Sequence, residues 1–181
     1  RSDVQGISPN RLTARTSSTL EAVTGALSSG VRTYTSATTY TGLDGSGIGI
    51  AILDSGIGNY NKAMNDDTGA IRVKRAVDFQ KVGDATAVGA KDWTAGVDAS
   101  VGMIPGSAAM ATYESNIDST GAKLRDPYGH GSHVASIAAG RGYFQSPDAS
   151  GVAPKANLYD VKVLDSRGYG QMSDVLAGID W

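Results

Sequence analysis

Two short segments hold the residues that could do chemistry. Asp54 follows the apolar run Ile48 to Leu53 and leads into Ser55-Gly56, and His130 lies in Gly129-His130-Gly131-Ser132-His133-Val134-Ala135. A carboxylate that holds an imidazole fixes its tautomer, and the other ring nitrogen can then take the proton of a hydroxyl nucleophile. Asp54 fits the carboxylate and His130 the general base. The third member of such a triad is missing from this chain, with Ser55 and Ser132 built into the two motifs. The simpler reading of Asp54, an aspartate closing an Asx turn after a strand, loses to the presence of the histidine segment downstream. A zinc site from His130 and His133 with Asp126 or Asp54 lacks the spacing of two histidines four residues apart around a glutamate, so no metal is assigned. His133, one helical turn on, is assigned to packing and hydrogen bonding.

These residues need a frame to bring them together. Ile48 to Leu53 is apolar except for Gly49, the pattern of a strand buried on both faces of a parallel sheet. Asp54 then stands at the carboxyl end of a central strand, where open α/β sheets place their sites. The glycines around His130 take away side-chain bulk, and Val134 onward reads as a helix that starts at the histidine. A histidine at a helix N-terminus has its cationic form disfavoured by the helix dipole, which suits a base. Ile71 to Phe79 alternates apolar with basic residues and predicts a peripheral strand with one wetter face. Leu158 to Leu164 is the third strand, Leu20 to Leu27 a short helix, and Gln171 to Trp181 a helix with Met172, Val175, Leu176 and Ile179 on one face. Long connections between the strands favour parallel pairing, hence an α/β fold with a doubly wound, mainly parallel sheet and helices on both faces.

The order aspartate then histidine, with both local contexts, resembles the subtilisin-like serine proteases (subtilases), whose nucleophile comes last in the chain. The resemblance covers Gly45 to Ile57 and Tyr128 to Trp181. It includes Gly151-Val152-Ala153-Pro154-Lys155-Ala156-Asn157-Leu158 followed by Val161-Lys162-Val163-Leu164, which is similar to the strand after the histidine helix of that family. It implies the N-terminal half of a catalytic domain that hydrolyses peptide bonds through an acyl-enzyme. On the same basis Gly168, Tyr169, Gly170 and Gln171 are expected to pair with an extended polypeptide substrate by strand addition. The serine is expected on a second polypeptide carrying the C-terminal half. Without it this chain is expected to be inactive, with the Leu158 to Leu164 strand lacking a neighbour and leaving an apolar edge. Helix 171–181 reads as cut short on its own apolar stripe. No cofactor is required. Calcium, common in the family, is not carried over, because Ile57-Gly58-Asn59-Tyr60-Asn61-Lys62 lacks the expected acidic residue and Asp66-Asp67 reads as a solvated turn. The rival functional class is a non-catalytic peptide-binding module of the same fold, or an inert fragment.

Composition sets the outer limits. The 181 residues are 40% hydrophobic and 19% charged, as in a globular chain, and a net charge of -2 gives no electrostatic support for nucleic acid or an anionic membrane. No apolar run reaches the roughly 20 residues that span a membrane. The absence of cysteine excludes disulfides and thiolate chemistry without locating the protein, so a secreted or extracellular setting follows from the resemblance alone. Residues 1–19 resemble the end of a propeptide or form an N-terminal arm, and residues 20–181 make up the catalytic half. Residues 81–125 read as an insertion, a flap over the cleft or a surface loop.

Overall fold

A computed structural model describes residues 19–36, 39–58, 60–83, 103–122, 125–142 and 150–181. The proposed propeptide remnant lies outside these residues except for its last position, and so does 84–102 of the proposed insertion. In chain order the elements are α1 (Thr19–Val23), β1 (Arg32–Tyr34), β2 (Tyr40–Gly42), β3 (Gly49–Asp54), β4 (Val73–Asp78), α2 (Gln80–Gly83), α3 (Ala108–Ile117), α4 (His130–Ala139), β5 (Asn157–Lys162) and α5 (Met172–Asp180). A short 3₁₀ turn, Lys62–Met64, lies between β3 and β4.

β3, β5 and β4 form a parallel sheet in that spatial order. Gly49 to Asp54 pairs in unbroken register with Asn157 to Lys162, and β4 pairs along the other side of β5 with an irregularity between Val73 and Arg75. The last strand in sequence is thus the middle one in space. This overturns the expectation of a bare apolar edge at Leu158 to Leu164: both edges of β5 are paired, and the outer strands are β3 and β4. Its composition gives the reason, since Leu158, Val161 and Val163 are all buried. In the described sheet Asp54 ends an outer strand, β3, paired to β5.

Side chains alternate across the strands and divide the core in two. On one face Ile52 and Leu158 pack with Ile57, Met64, Ala135, Ala139 and Ala156, which seats α4. On the other, Val77, Val161 and Val163 pack with Phe79, Tyr113, Ile117 and Ala177, which seats α3 and α5. Helices on both faces of a parallel sheet are the expected α/β arrangement. Part of the stretch read as an insertion is therefore α3, a core-covering helix capped by Ser107, whose hydroxyl accepts the Met110 N–H.

In helix α5 the apolar stripe is split: Val175 packs partly buried against the core, while its other members lie further out. Ser173, Asp174, Ala177 and Gly178 face the sheet, while Met172 and Ile179 are about two-thirds exposed, at 70% and 67%. Small residues win the inner face because α5 approaches closely: a Cβ on Gly178 would lie 2.9 Å from the Val161 side chain. β1 and β2 form a separate antiparallel pair. It is tied down by Arg32, whose buried guanidinium bonds Glu21 and the carbonyls of Leu43 and Val152.

Candidate active site

The strand carrying Asp54 and the helix carrying His130 meet at the carboxyl end of β3. Their approach is close enough that only glycine fits at the crossing. A Cβ on Gly131 would collide with the backbone of Gly56 and press on the Asp54 Cβ, and one on Gly56, at φ +116°, would meet the carbonyl of Arg125. Gly131 therefore removes bulk as expected. Gly129 acts differently: nothing crowds it, but it is the N-cap of α4 at φ +89°, a backbone conformation that turns the chain into the helix.

The result is a carboxylate–imidazole pair. His130 Nδ1 lies 2.9 Å from Asp54 Oδ1 and 2.8 Å from Oδ2. Both neighbours of that nitrogen are acceptors, so Nδ1 carries a proton, and in the neutral imidazole Nε2 is then the acceptor. The Ser55 N–H donates to Asp54 Oδ1 at 2.7 Å, which fixes the carboxylate from behind. The Asp54 side chain is 11% exposed and that of His130 55%, so the anchor is buried and the imidazole faces outward. Such a pair can take a proton from a hydroxyl presented at Nε2 and hold the imidazolium that results.

Helix α4 is held at both ends. At its N-terminus Asp126, nearly buried, accepts four hydrogen bonds: Ser55 Oγ (2.7 Å) and the Gly129 N–H (2.8 Å) at Oδ1, the Ser132 N–H (2.8 Å) and Ser132 Oγ (2.5 Å) at Oδ2. Burial pushes its carboxyl up, but the bonds from Ser132, Ser55 and the Gly129 amide outweigh burial and hold it below the ordinary carboxylate range. At the C-terminus the buried Arg72 donates to the carbonyls of Ala139, Ala156, Ala63 and Asn65, a cation where the helix dipole favours one. Burial lowers the Arg72 guanidinium to about 10.

On the central strand, Asp160 stands opposite Ile52 on β3 and Ala76 on β4. It is 1% exposed, and neither carboxylate oxygen has a hydrogen bond of ordinary geometry among the described residues. Burial pushes its carboxyl up to about 7. The Ile57 amide, Arg125 and Lys162 oppose the rise and Asp126 adds to it.

The remaining predicted site residues fall beside the pair. The Tyr128 ring lies 6.3 Å from the His130 ring, centroid to centroid, and Gly168 packs on Tyr128 so closely that a Cβ would come within 2.7 Å of it. Gly168, Tyr169, Gly170 and Gln171 thus reach the neighbourhood of His130 through Tyr128. They belong to no strand: Asp165 and Tyr169 close a turn (Asp165 N–H to Tyr169 carbonyl, 2.7 Å), Tyr169 is exposed, and Gln171 is the N-cap of α5. The two glycines serve the chain's own packing here, Gly170 against the Val163 carbonyl and Gly168 against Tyr128. His133 is exposed rather than packed. Asp66 makes an Asx turn, accepting from the Thr68 and Ala70 amides. Sequence reasoning weighed Asp126 only as a zinc ligand and passed over Arg72. An acidic residue just before a helix start was the available signal for Asp126; for Arg72, a basic residue at the start of an alternating strand, there was none.

Comparison with known proteins agrees with this architecture. The model of the subtilase family matches residues 45–181, well over half of the chain. Alkaline protease 2 of Aspergillus fumigatus is 55% identical over 56 residues, which are 31% of this chain and 10% of that protein. Serine protease AprX of Bacillus subtilis is 43% identical over 56 residues, 31% of this chain and 13% of that protein. The chain thus corresponds to only a small part of the length of these relatives. The structure of the Clostridium perfringens CspB protease shares the fold, with a TM-score of 0.50 at 24% identity over 76% of this chain and 25% of that one. Since the family match runs from the turn before β3 through the end of α5, and so takes in both the strand and the helix that meet at the site, this chain belongs to the subtilase family.

Proposed function

We propose that the chain supplies the acid–base half of a serine endopeptidase, with Asp54 orienting His130 and His130 acting as general base toward a serine outside these 181 residues. The observation that carries this reading is the Asp54–His130 contact, 2.8 Å at its shortest, with Nε2 left on the exposed side. Ser55 and Ser132 do not compete for the nucleophile's role, because both hydroxyls donate to Asp126. In the reaction His130 takes the serine proton as the serine oxygen adds to the peptide carbonyl, and returns it to the leaving amine. Water then repeats the sequence on the acyl-enzyme.

A polypeptide lying along Gly168 to Gln171 passes the Tyr128 side of His130, which suits an extended substrate. This reading assigns no cofactor, places the serine on a segment complementary to this chain or on a second polypeptide, and leaves the 181 residues inactive by themselves. Secretion belongs to the same reading. Among the described residues no helix is long and apolar enough to cross a membrane.

The test is peptide hydrolysis by the protease that carries this chain, with fluorophosphonate labelling of its serine. His130→Ala is expected to lower kcat by at least about 10⁴-fold, a magnitude taken from subtilisin itself, a member of this family. Full activity in His130→Ala would replace the protease reading with that of a peptide-binding module.

A further inference from the structure

We propose that Asp126 and Ser55 are positioning residues: a buried hydrogen-bonded clasp that sets the register of the His130 helix against the Asp54 strand. The proposal rests on the Asp54–His130 reading above and extends it to residues that touch neither substrate nor the reacting atoms.

The clasp has two arms that leave one carboxylate. In the first, Asp126 Oδ1 receives Ser55 Oγ–H, and the same Ser55 Oγ accepts the Gly131 N–H at 3.0 Å. In the second, Asp126 Oδ2 receives the Ser132 N–H and hydroxyl, and Ser132 Oγ accepts the Gly58 N–H at 2.8 Å. Each arm joins the turn after β3 to the first turn of α4. Ser55 also ties the clasp to the catalytic carboxylate, because its N–H bonds Asp54 Oδ1 and its carbonyl accepts Lys162 Nζ at 3.0 Å. Ser55 is fully buried and Asp126 is 8% exposed, so water cannot replace the lost partners without opening the crossing.

The chemistry of the donors makes the carboxylate specific. Asp126 faces four donors, two on each oxygen, and two of the four are backbone N–H groups that cannot reverse their role. An asparagine of the same shape offers one acceptor oxygen and must turn its NH₂ toward one of these pairs, against at least one amide N–H. The helix start then shifts or rotates away from the turn, carrying the imidazole with it, and a misplacement of about 1 Å in a catalytic group can cost about 10²-fold in rate.

The experiment uses the intact protease that carries this chain. Asp126→Asn, Ser55→Ala and the double variant are compared for kcat and KM on a peptide, with kcat expressed per active site labelled by a fluorophosphonate. The far-downfield proton NMR signal of an Nδ1–H held by a carboxylate is recorded for each. Each single variant is expected to lower kcat about 10- to 100-fold with KM changed less than about twofold, and to shift or broaden that signal. The double variant should be no worse than the worse single one, since both cut the same clasp. If both single variants keep kcat per site within about twofold and leave the signal in place, the proposal is overturned even where the melting temperature falls, because that is the signature of a purely structural role. If Asp126→Asn does not fold, Ser55→Ala decides alone, as it removes one arm only. A wild-type protein without the downfield signal, whose His130→Ala variant stays active, overturns the underlying site reading as well, so the two failures are told apart.

Discussion

Replacing Asp160 with asparagine should stabilise the protein at pH 8 and change little at pH 4. The carboxyl is buried on the middle strand β5, which β3 and β4 flank, and its pKa rises from the ordinary 3.8 to about 7. An acid whose pKa is raised by folding binds its proton more tightly in the folded state than in the unfolded one. Stability must therefore fall as pH rises between the two values. Below about pH 4 both states are protonated and there is no penalty. Through the interval it grows by about 1.4 kcal/mol per pH unit, and above pH 7 it levels off at about 4 kcal/mol. Asparagine keeps the shape and cannot ionise, so the penalty disappears. The assay is equilibrium urea unfolding of wild type and Asp160→Asn at pH 4, 5, 6, 7 and 8. Curves of stability against pH that diverge by about 4 kcal/mol, with the variant higher at alkaline pH, are the expected result. Parallel curves, or a variant less stable at every pH, would refute the reasoning and show an ionised Asp160 paired with Arg125 or Lys162.

Arg72→Met should cost at least about 3 kcal/mol, because four carbonyls, among them that of Ala139 at the end of α4, lose a charged donor in a buried place; a melting temperature within a degree or two of wild type would contradict this. Gly131→Ala should destabilise by about 1–3 kcal/mol and weaken the Asp54–His130 contact, since the added methyl meets the Gly56 backbone; denaturant unfolding and the downfield Nδ1–H signal report the two effects. Glu21→Ala leaves the Arg32 guanidinium buried without its carboxylate and should cost about 3–5 kcal/mol, readable in the unfolding midpoint.

The sequence by itself determined the local chemistry: an apolar strand ending in Asp54, a glycine-flanked His130 opening a helix, and three strands with intervening helices. These are short-range signals, set by periodicity, by glycine where the backbone must turn or be approached, and by residue type at an element's end. What it could not determine was which strand lies beside which. β5 is the last of the described strands and central in the sheet because its residues are buried from both sides, and only the assembled sheet shows that β3 and β4 flank it. The inward face of α5 was likewise decided by contact. Its apolar stripe was plain in the sequence, yet of that stripe Val175 alone packs partly on the core, beside the buried Ser173, Asp174, Ala177 and Gly178, and Gly178 lets the helix come close. Asp126, Ser55 and Arg72 show the same limit at the site. Their roles rest on hydrogen bonds between segments far apart in the chain, as between Ser55 and Asp126 or Arg72 and Ala139, and such pairings exist only once tertiary packing has brought the buried donors and acceptors within reach of one another.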